Sequence, residues 1–358
     1  DIDQLAQAIV HGDDDRRDLY EADEPFARLA GETAVALIAP TQLHRRNGGT
    51  YGIEAPRYSE LQSLCPGERF SEQPAAASCS GVLLAPNIVA TAGHCLTVTA
   101  DGRPDCTNNR YVLGFGITDP AVAVNIPAHA VFDCKQLLGR VEAAADAPCR
   151  FDFVLLELDR AVPAAAPAHI RDRPVQPGEA VAVVGFPAGL PVKIDQGAQV
   201  IDARAEQGDF FTLSSDTFAV SSGSGVFDSE GELVGLFSKG RRDYDQDGSC
   251  QRVHHEHQAS AQGYEEATQI AAVQHLLSTV TLAVPLEPLE YPPACTASDY
   301  ADIEPRARGT TSACTTAGIG SRTSRTGGSV LFLAVMFSAA FGRRCRAKPI
   351  AVCFRTRP

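Results

Sequence analysis

The chain is cut into short apolar runs: "ETAVALIAP", "CSGVLLAP", "NIVATAG", "RYVLGFGI", "FVLLELD", "EAVAVVGFP", "SGVFD" and "ELVGLFS". Each is rich in Val, Ile, Leu, Ala or Phe, and turn-forming residues separate them. Runs this short, closed by turns, read as strands, because a helix needs a longer stretch to turn one apolar face inward. One helix is expected, in "YEEATQIAAVQHLLSTV" (264–280). There Ile270, Val273, Leu276 and Leu277 share a face, and Glu265 and Glu266 fall in a first turn that favours acids. The expected class is all-β with a closing helix.

Charge and cysteine usage narrow the function. A net charge of −13 argues against a general nucleic-acid binder, which would carry a basic surface. The eleven cysteines are scattered, with no CxxC pair, so a zinc ribbon or dithiol redox site is not expected. Such spacing fits disulfides in an oxidising compartment. Two further clusters, "DYDQDG" with Asp243, Asp245 and Asp247, and "HHEH" at 254–257, read as solvated patches rather than metal sites. The twelfth position of the first is His254, where a calcium loop wants Glu.

Composition divides the chain into four stretches. Residues 1–33 hold "HGDDDRRDLYEADEP" and read as an acidic leader, solvated or accessory. Residues 34–280 hold the strand pattern. Residues 281–328 are rich in Pro, Ser, Thr and Gly and read as a linker. Residues 329–358 hold the apolar run "SVLFLAVMFSAAFG" (329–342) and then a basic tail. That run is shorter than the roughly 20 residues of a membrane span. A membrane anchor, a buried helix and a cleavable sorting segment all remain open for it.

Three residues stand in a chemically meaningful order: His94 in "TAGHC", Asp152 in "FDFVLLELD" and Ser222 in "SSGSGVFD". A nucleophilic serine needs a base to take its proton, and the base needs a carboxylate to fix its tautomer. Asp159 and Ser224 are the alternatives for the acid and the nucleophile.

"CSGVLLAPNIVATAGHC", "DFVLLEL" and "SSGSGVFDSEGELVGLFSKG" together resemble the histidine, aspartate and serine motifs of chymotrypsin-like (trypsin-type) serine proteases. The serine motif is most similar to the bacterial glutamyl-endopeptidase branch. The resemblance implies two antiparallel six-stranded β-barrels dividing near residues 165–175. It implies a His94, Asp152 and Ser222 triad, an oxyanion hole from the N–H groups of Val220 and Ser222, and a Cys79–Cys95 disulfide. No cofactor is implied, and the substrate is a protein or peptide cut by a monomer that is secreted or held at the cell envelope. Val220-Ser221 stands where the family has Gly-Asp or Gly-Asn, so a catalytically impaired binding module is the alternative. With Ser221 before the nucleophile, activation by a newly cut N-terminus is not expected. Counting along the motif puts Asp216 at the base of the primary pocket and Ser238 and Gly240 on its wall, which leans toward cleavage after Arg or Lys. Phe218 and Lys239 weigh against that preference. The C-terminal tail, with Cys314, an apolar run and Arg343-Arg344, resembles the sorting tails of myxobacterial surface proteins.

Overall fold

The computed structural model describes residues 10–11, 13–100, 102–143, 149–256 and 264–282. The first two residues of the expected linker, 281 and 282, belong to the last helix; the rest of the linker, the apolar segment and the basic tail lie outside the described residues. Among the described residues no helix is long and apolar enough to cross a membrane.

A two-residue strand, β1 (Arg16–Arg17), and a helix, α1 (Glu24–Thr33), precede the first sheet. The first sheet follows: β2 (Ala34–Ile38), β3 (Ala77–Ala85), β4 (Ile88–Thr91), β5 (Arg110–Leu113), β6 (Val131–Phe132), β7 (Cys134–Glu142) and β8 (Asp152–Leu158). The second comprises β9 (Val181–Gly185), β10 (Lys193–Asp195), β11 (Gln199–Asp202), β12 (Phe210–Ser214), β13 (Gly225–Asp228), β14 (Leu233–Lys239) and β15 (Glu265–Gln269). The helix α2 (Ile270–Leu282) closes the series. Strand order is β6-β5-β2-β3-β4-β8-β7 in the first sheet and β11-β12-β15-β14-β13-β9-β10-β1 in the second. Every pairing in both is antiparallel.

The fold is therefore mostly β, with two curled antiparallel sheets and few helices, as expected. The strand counts are seven and eight rather than six. The eighth strand of the second sheet is β1, contributed by the leader.

Strand β8 shows why the sequence makes this arrangement. Its side chains alternate between two cores: Val154, Leu156 and Leu158 pack inside the first barrel with Val35, Leu37 and Tyr111. Phe153 and Leu155 pack on the other side, with Val184, Phe227, Val273 and Leu276. Both faces are buried, so the run is continuously apolar. Val181, Val183, Phe211, Leu213, Val226 and Phe237 fill the second barrel.

Two expectations are corrected. The helix begins at Ile270, and Glu265 and Glu266 lie in β15 instead of a helical first turn. That stretch hydrogen-bonds to β12 on one side and β14 on the other, and the two ladders outweigh local helix preference. The leader, too, is not simply solvated: among its described residues, part of the charge is buried. Arg16 and Asp18 are each 1 % exposed, and Phe26 and Leu29 of α1 pack against the core. Its charges go in as pairs: Asp14 with Arg16 at 2.7 Å and Asp18 with Lys193 at 2.6 Å. Pairing offsets the cost of removing each ion from water.

Cys79–Cys95, Cys65–Cys250 and Cys106–Cys134 are disulfides, and Cys149 is disulfide-bonded as well. The acids of "DYDQDG" run into a hairpin, Tyr244–Asp247 with Cys250–Val253. Asp247 pairs with Arg252 at 2.6 Å and Asp245 with His254.

Candidate active site

His94 sits on a 3-10 turn, Gly93–Cys95, immediately after β4. The Cys79–Cys95 disulfide ties this turn to β3, and Arg140 Nε donates to the Gly93 carbonyl at 2.8 Å. Glycine is needed at 93 because a Cβ there would lie 2.5 Å from the Val141 carbonyl and 2.9 Å from Asp152 Oδ1. Asp152 opens β8, which pairs with β4 and so brings the carboxylate under the turn. His94 donates its backbone N–H to Asp152 Oδ1 at 3.0 Å, and its Nδ1 lies 2.5 Å from Asp152 Oδ2. On the far side of the ring, Nε2 is 2.8 Å from Ser222 Oγ. The hydrogen bond to Asp152 holds the His94 imidazole above its ordinary pKa of 6.5.

Ser222 is carried on the turn between Phe218 and β13. Gly223 has φ +87°, and a Cβ there would meet the Ser80 carbonyl at 2.1 Å. Ser80 N–H donates to the Ser222 carbonyl at 2.8 Å, Gly223 N–H to the Phe237 carbonyl at 2.7 Å, and Phe237 N–H to the Ser224 carbonyl at 2.9 Å. Val220 also has a positive φ, +76°. For a β-branched residue this costs about 1–3 kcal/mol and persists only where the surroundings impose it. Ser80 Oγ donates to the Val220 carbonyl at 3.1 Å. Among the described residues no group accepts the N–H of Val220 or of Ser222.

The structure thus brings His94, Asp152 and Ser222 into one hydrogen-bonded line. Ser224 is fully buried, and Asp159 is engaged at the other end of β8 with Arg160 and the Asp133 N–H. Ser238, near the end of β14, is half-buried and donates to the Glu266 carbonyl at 3.1 Å, and Gly240 follows just beyond the strand.

Asp216 is placed differently from the expectation of an acid waiting for a basic side chain. It is 4 % exposed. Its Oδ2 accepts the Asp15 N–H at 2.6 Å, and its own N–H donates to Asp195 Oδ2 at 2.7 Å. The leader covers this position. Sequence reasoning missed Arg16, Ser80, Arg140 and Asp195 as supports of the site. A charged block such as "DDDRRD" carries no local signal that it will be buried.

Residues 79–236 match the family model of the trypsin-like peptidase domain. This is a serine endopeptidase. The matched segment contains His94, Asp152 and Ser222. Among solved structures the peptidase is similar to a Glu endopeptidase, at 17 % identity over 77 % of this chain and 100 % of that one, with a TM-score of 0.45. It is also similar to the VesB protease of Vibrio cholerae, at 12 % identity over 77 % of this chain and 68 % of that one, TM-score 0.44. Kallikrein-related peptidase 10 aligns at 16 % identity over 72 % of this chain and 98 % of that one, TM-score 0.40. No curated protein matches the chain in sequence.

Proposed function

We propose that this endopeptidase works through His94, Asp152 and Ser222, by an acyl-enzyme. Ser222 Oγ attacks the peptide carbonyl as His94 Nε2 takes its proton. Asp152 holds the other ring nitrogen, keeping the tautomer correct and stabilising the imidazolium. The carbonyl oxygen becomes an oxyanion and takes hydrogen bonds from the N–H groups of Val220 and Ser222. His94 then gives its proton to the leaving amine, and a water, deprotonated by His94 in turn, hydrolyses the ester. The observation that carries this reading is the 2.8 Å approach of Ser222 Oγ to a ring whose other nitrogen is already held by a carboxylate.

Ser238 and Gly240 flank the site at the end of β14 and would pair with the substrate backbone. Asp216 is not offered as a specificity residue, because it is buried and the Asp15 amide already bonds one oxygen of its carboxylate. The disulfides fit an oxidising, extracytoplasmic compartment, and we read the protein as secreted or surface-displayed.

A fluorophosphonate probe with denatured casein as substrate tests the reading. Wild type should label covalently and cleave casein, and Ser222→Ala should do neither. A folded wild type that neither labels nor cleaves would instead be a binding module built on the same fold.

A further inference from the structure

We infer that Arg16, in the leader, is a positioning residue for the turn that presents the oxyanion donors, acting from the side opposite the substrate. This role rests on the reading of Ser222 as nucleophile. Three observations carry it.

The first is the seat of Arg16. Strand β1 pairs with β10, opposing Arg16 to Asp195 and Arg17 to Ile194. Arg69 fastens the same stretch through the carbonyls of Asp14 and Arg16, at 2.5 and 2.8 Å. Asp14 grips the guanidinium with both oxygens, at 2.9 and 2.7 Å. An arginine so fixed loses little further freedom when it supports something else.

The second is what it supports. The guanidinium carbon lies 3.9 Å from the centroid of the Phe218 ring, a cation–π contact in a desolvated setting. Phe218 precedes Val220 by two residues. Its N–H donates to Ser221 Oγ at 3.2 Å and its carbonyl accepts the Ser221 N–H at 2.9 Å. Beside it, the Asp15 amide holds Asp216. The leader therefore grips the turn at 216 and at 218, on the approach to the nucleophile. Arg16, Asp216, Ser221 and Ser224 line one small cavity behind that turn.

The third is that the turn needs holding. Val220 keeps φ at +76° although its side chain disfavours it. If Phe218 were released, Val220 would relax toward negative φ. That rotation turns the 219–220 peptide, and with it the Val220 N–H, away from the oxyanion position. Only a step that develops the oxyanion would feel the loss.

The experiment compares wild type, Arg16→Met, Val220→Gly and the double variant. It uses a fluorogenic peptide copied from a site that wild type cleaves in casein, and a peptide trifluoromethyl ketone that forms an oxyanion adduct with Ser222. Arg16→Met should lower kcat by about 10²–10³, the scale of losing an oxyanion donor, and weaken the ketone in parallel. KM should stay within about threefold, since ground-state contacts are untouched. Glycine takes positive φ freely, so adding Val220→Gly should restore kcat at least about tenfold without restoring Arg16. Unchanged kcat in Arg16→Met, or a loss that Val220→Gly does not rescue, overturns the inference. If Arg16→Met does not fold, Phe218→Leu decides, since it keeps the Arg16–Asp14 pair. It should show the same kcat-selective loss and the same rescue, and an unchanged kcat overturns the proposal. A wild type without turnover would defeat the serine reading, whereas an active wild type with an equally active Arg16→Met defeats only the role of Arg16.

Discussion

Asp152 holds His94 at two points, accepting the backbone N–H on Oδ1 and facing the ring Nδ1 with Oδ2. The first contact fixes where the turn lies and the second fixes which ring nitrogen carries the proton. Asp152→Asn keeps the shape and offers an N–H2 group in place of one oxygen. The imidazole is then held in the wrong tautomer, and kcat should fall by about 10⁴. The base must be neutral to act, so kcat/KM of wild type should rise with pH through an apparent pKa above 6.5, because Asp152 favours the charged ring. The limb should move to lower pH in the variant. A limb that stays in place would show that another group controls it.

Ser222 and Ser224 are two residues apart and in opposite environments. Ser222 Oγ is 2.8 Å from His94 Nε2, while Ser224 Oγ is buried and has no hydrogen-bond partner among the described residues. Fluorophosphonate labelling should vanish in Ser222→Ala and persist in Ser224→Ala. Removing the Ser224 hydroxyl should leave stability unchanged or slightly raised, within about 1 kcal/mol, since a buried donor without a partner is lost. Peptide mapping of the labelled protein decides between the two serines.

The readable parts of this sequence are those where one local pattern has one physical solution. The run through Phe153, Val154, Leu155 and Leu156 has two apolar faces and had to be a strand between two cores. "TAGHC", "FDF" and "SSGSG" each place a reactive side chain at a strand end. Residues 265–269 were not readable, because their acids suit a helical start and only pairing with β12 and β14 makes them a strand. Asp216 was misread for a related reason. Position along the motif is local, but the leader that covers its carboxylate lies 201 residues away. Arg16 and Asp18 were hidden because isolated charges are normally solvated, and their burial depends on partners found only in the fold.

The Asp18–Lys193 pair makes the leader part of the second barrel. Both side chains are 1 % exposed, and Gln73 Nε2 donates to the other carboxylate oxygen at 2.8 Å. Asp18→Ala leaves a buried ammonium without its counter-charge and should cost about 3–5 kcal/mol. Burial has already pushed the Lys193 ammonium down to about 8, so loss of its partner favours the neutral amine further. Replacing both, as Asp18→Ala with Lys193→Met, should recover part of the stability. Urea denaturation of wild type, Asp18→Ala and the double variant checks this, and a loss below about 1 kcal/mol in Asp18→Ala would place the pair in the class of surface bridges.

The last prediction concerns pH. Asp15, Asp195 and Asp216 bring three carboxylates within 4.8 Å of one another, and Asp195 and Asp216 line the small cavity beside Ser221. Burial, and then the neighbouring Asp216 charge, push the Asp195 carboxyl well above its ordinary 3.8. The unfolded chain gives up this proton near 3.8, and the folded chain keeps it to higher pH. Between those limits the native state binds the extra proton, so stability falls as pH rises. This contribution is complete below 3.8 and is lost as pH passes the folded value. Asp14 acts in the opposite sense: its carboxyl is held below 3.8 by the bonds from Arg16, against the opposing effect of burial, so its stabilisation disappears only in acid. Lys193 is depressed from 10.5 to about 8, so its pH dependence lies above about 8 and leaves the interval from pH 5 to 7 untouched. His94 adds a smaller decline of the same sign as Asp195 above 6.5. The urea midpoint should therefore drop between pH 5 and pH 7. In Asp195→Asn the overall level should fall, because one backbone N–H loses its acceptor, but the decline with pH should flatten. A slope equal to that of wild type would mean that Asp195 is ionised in the folded protein throughout this range.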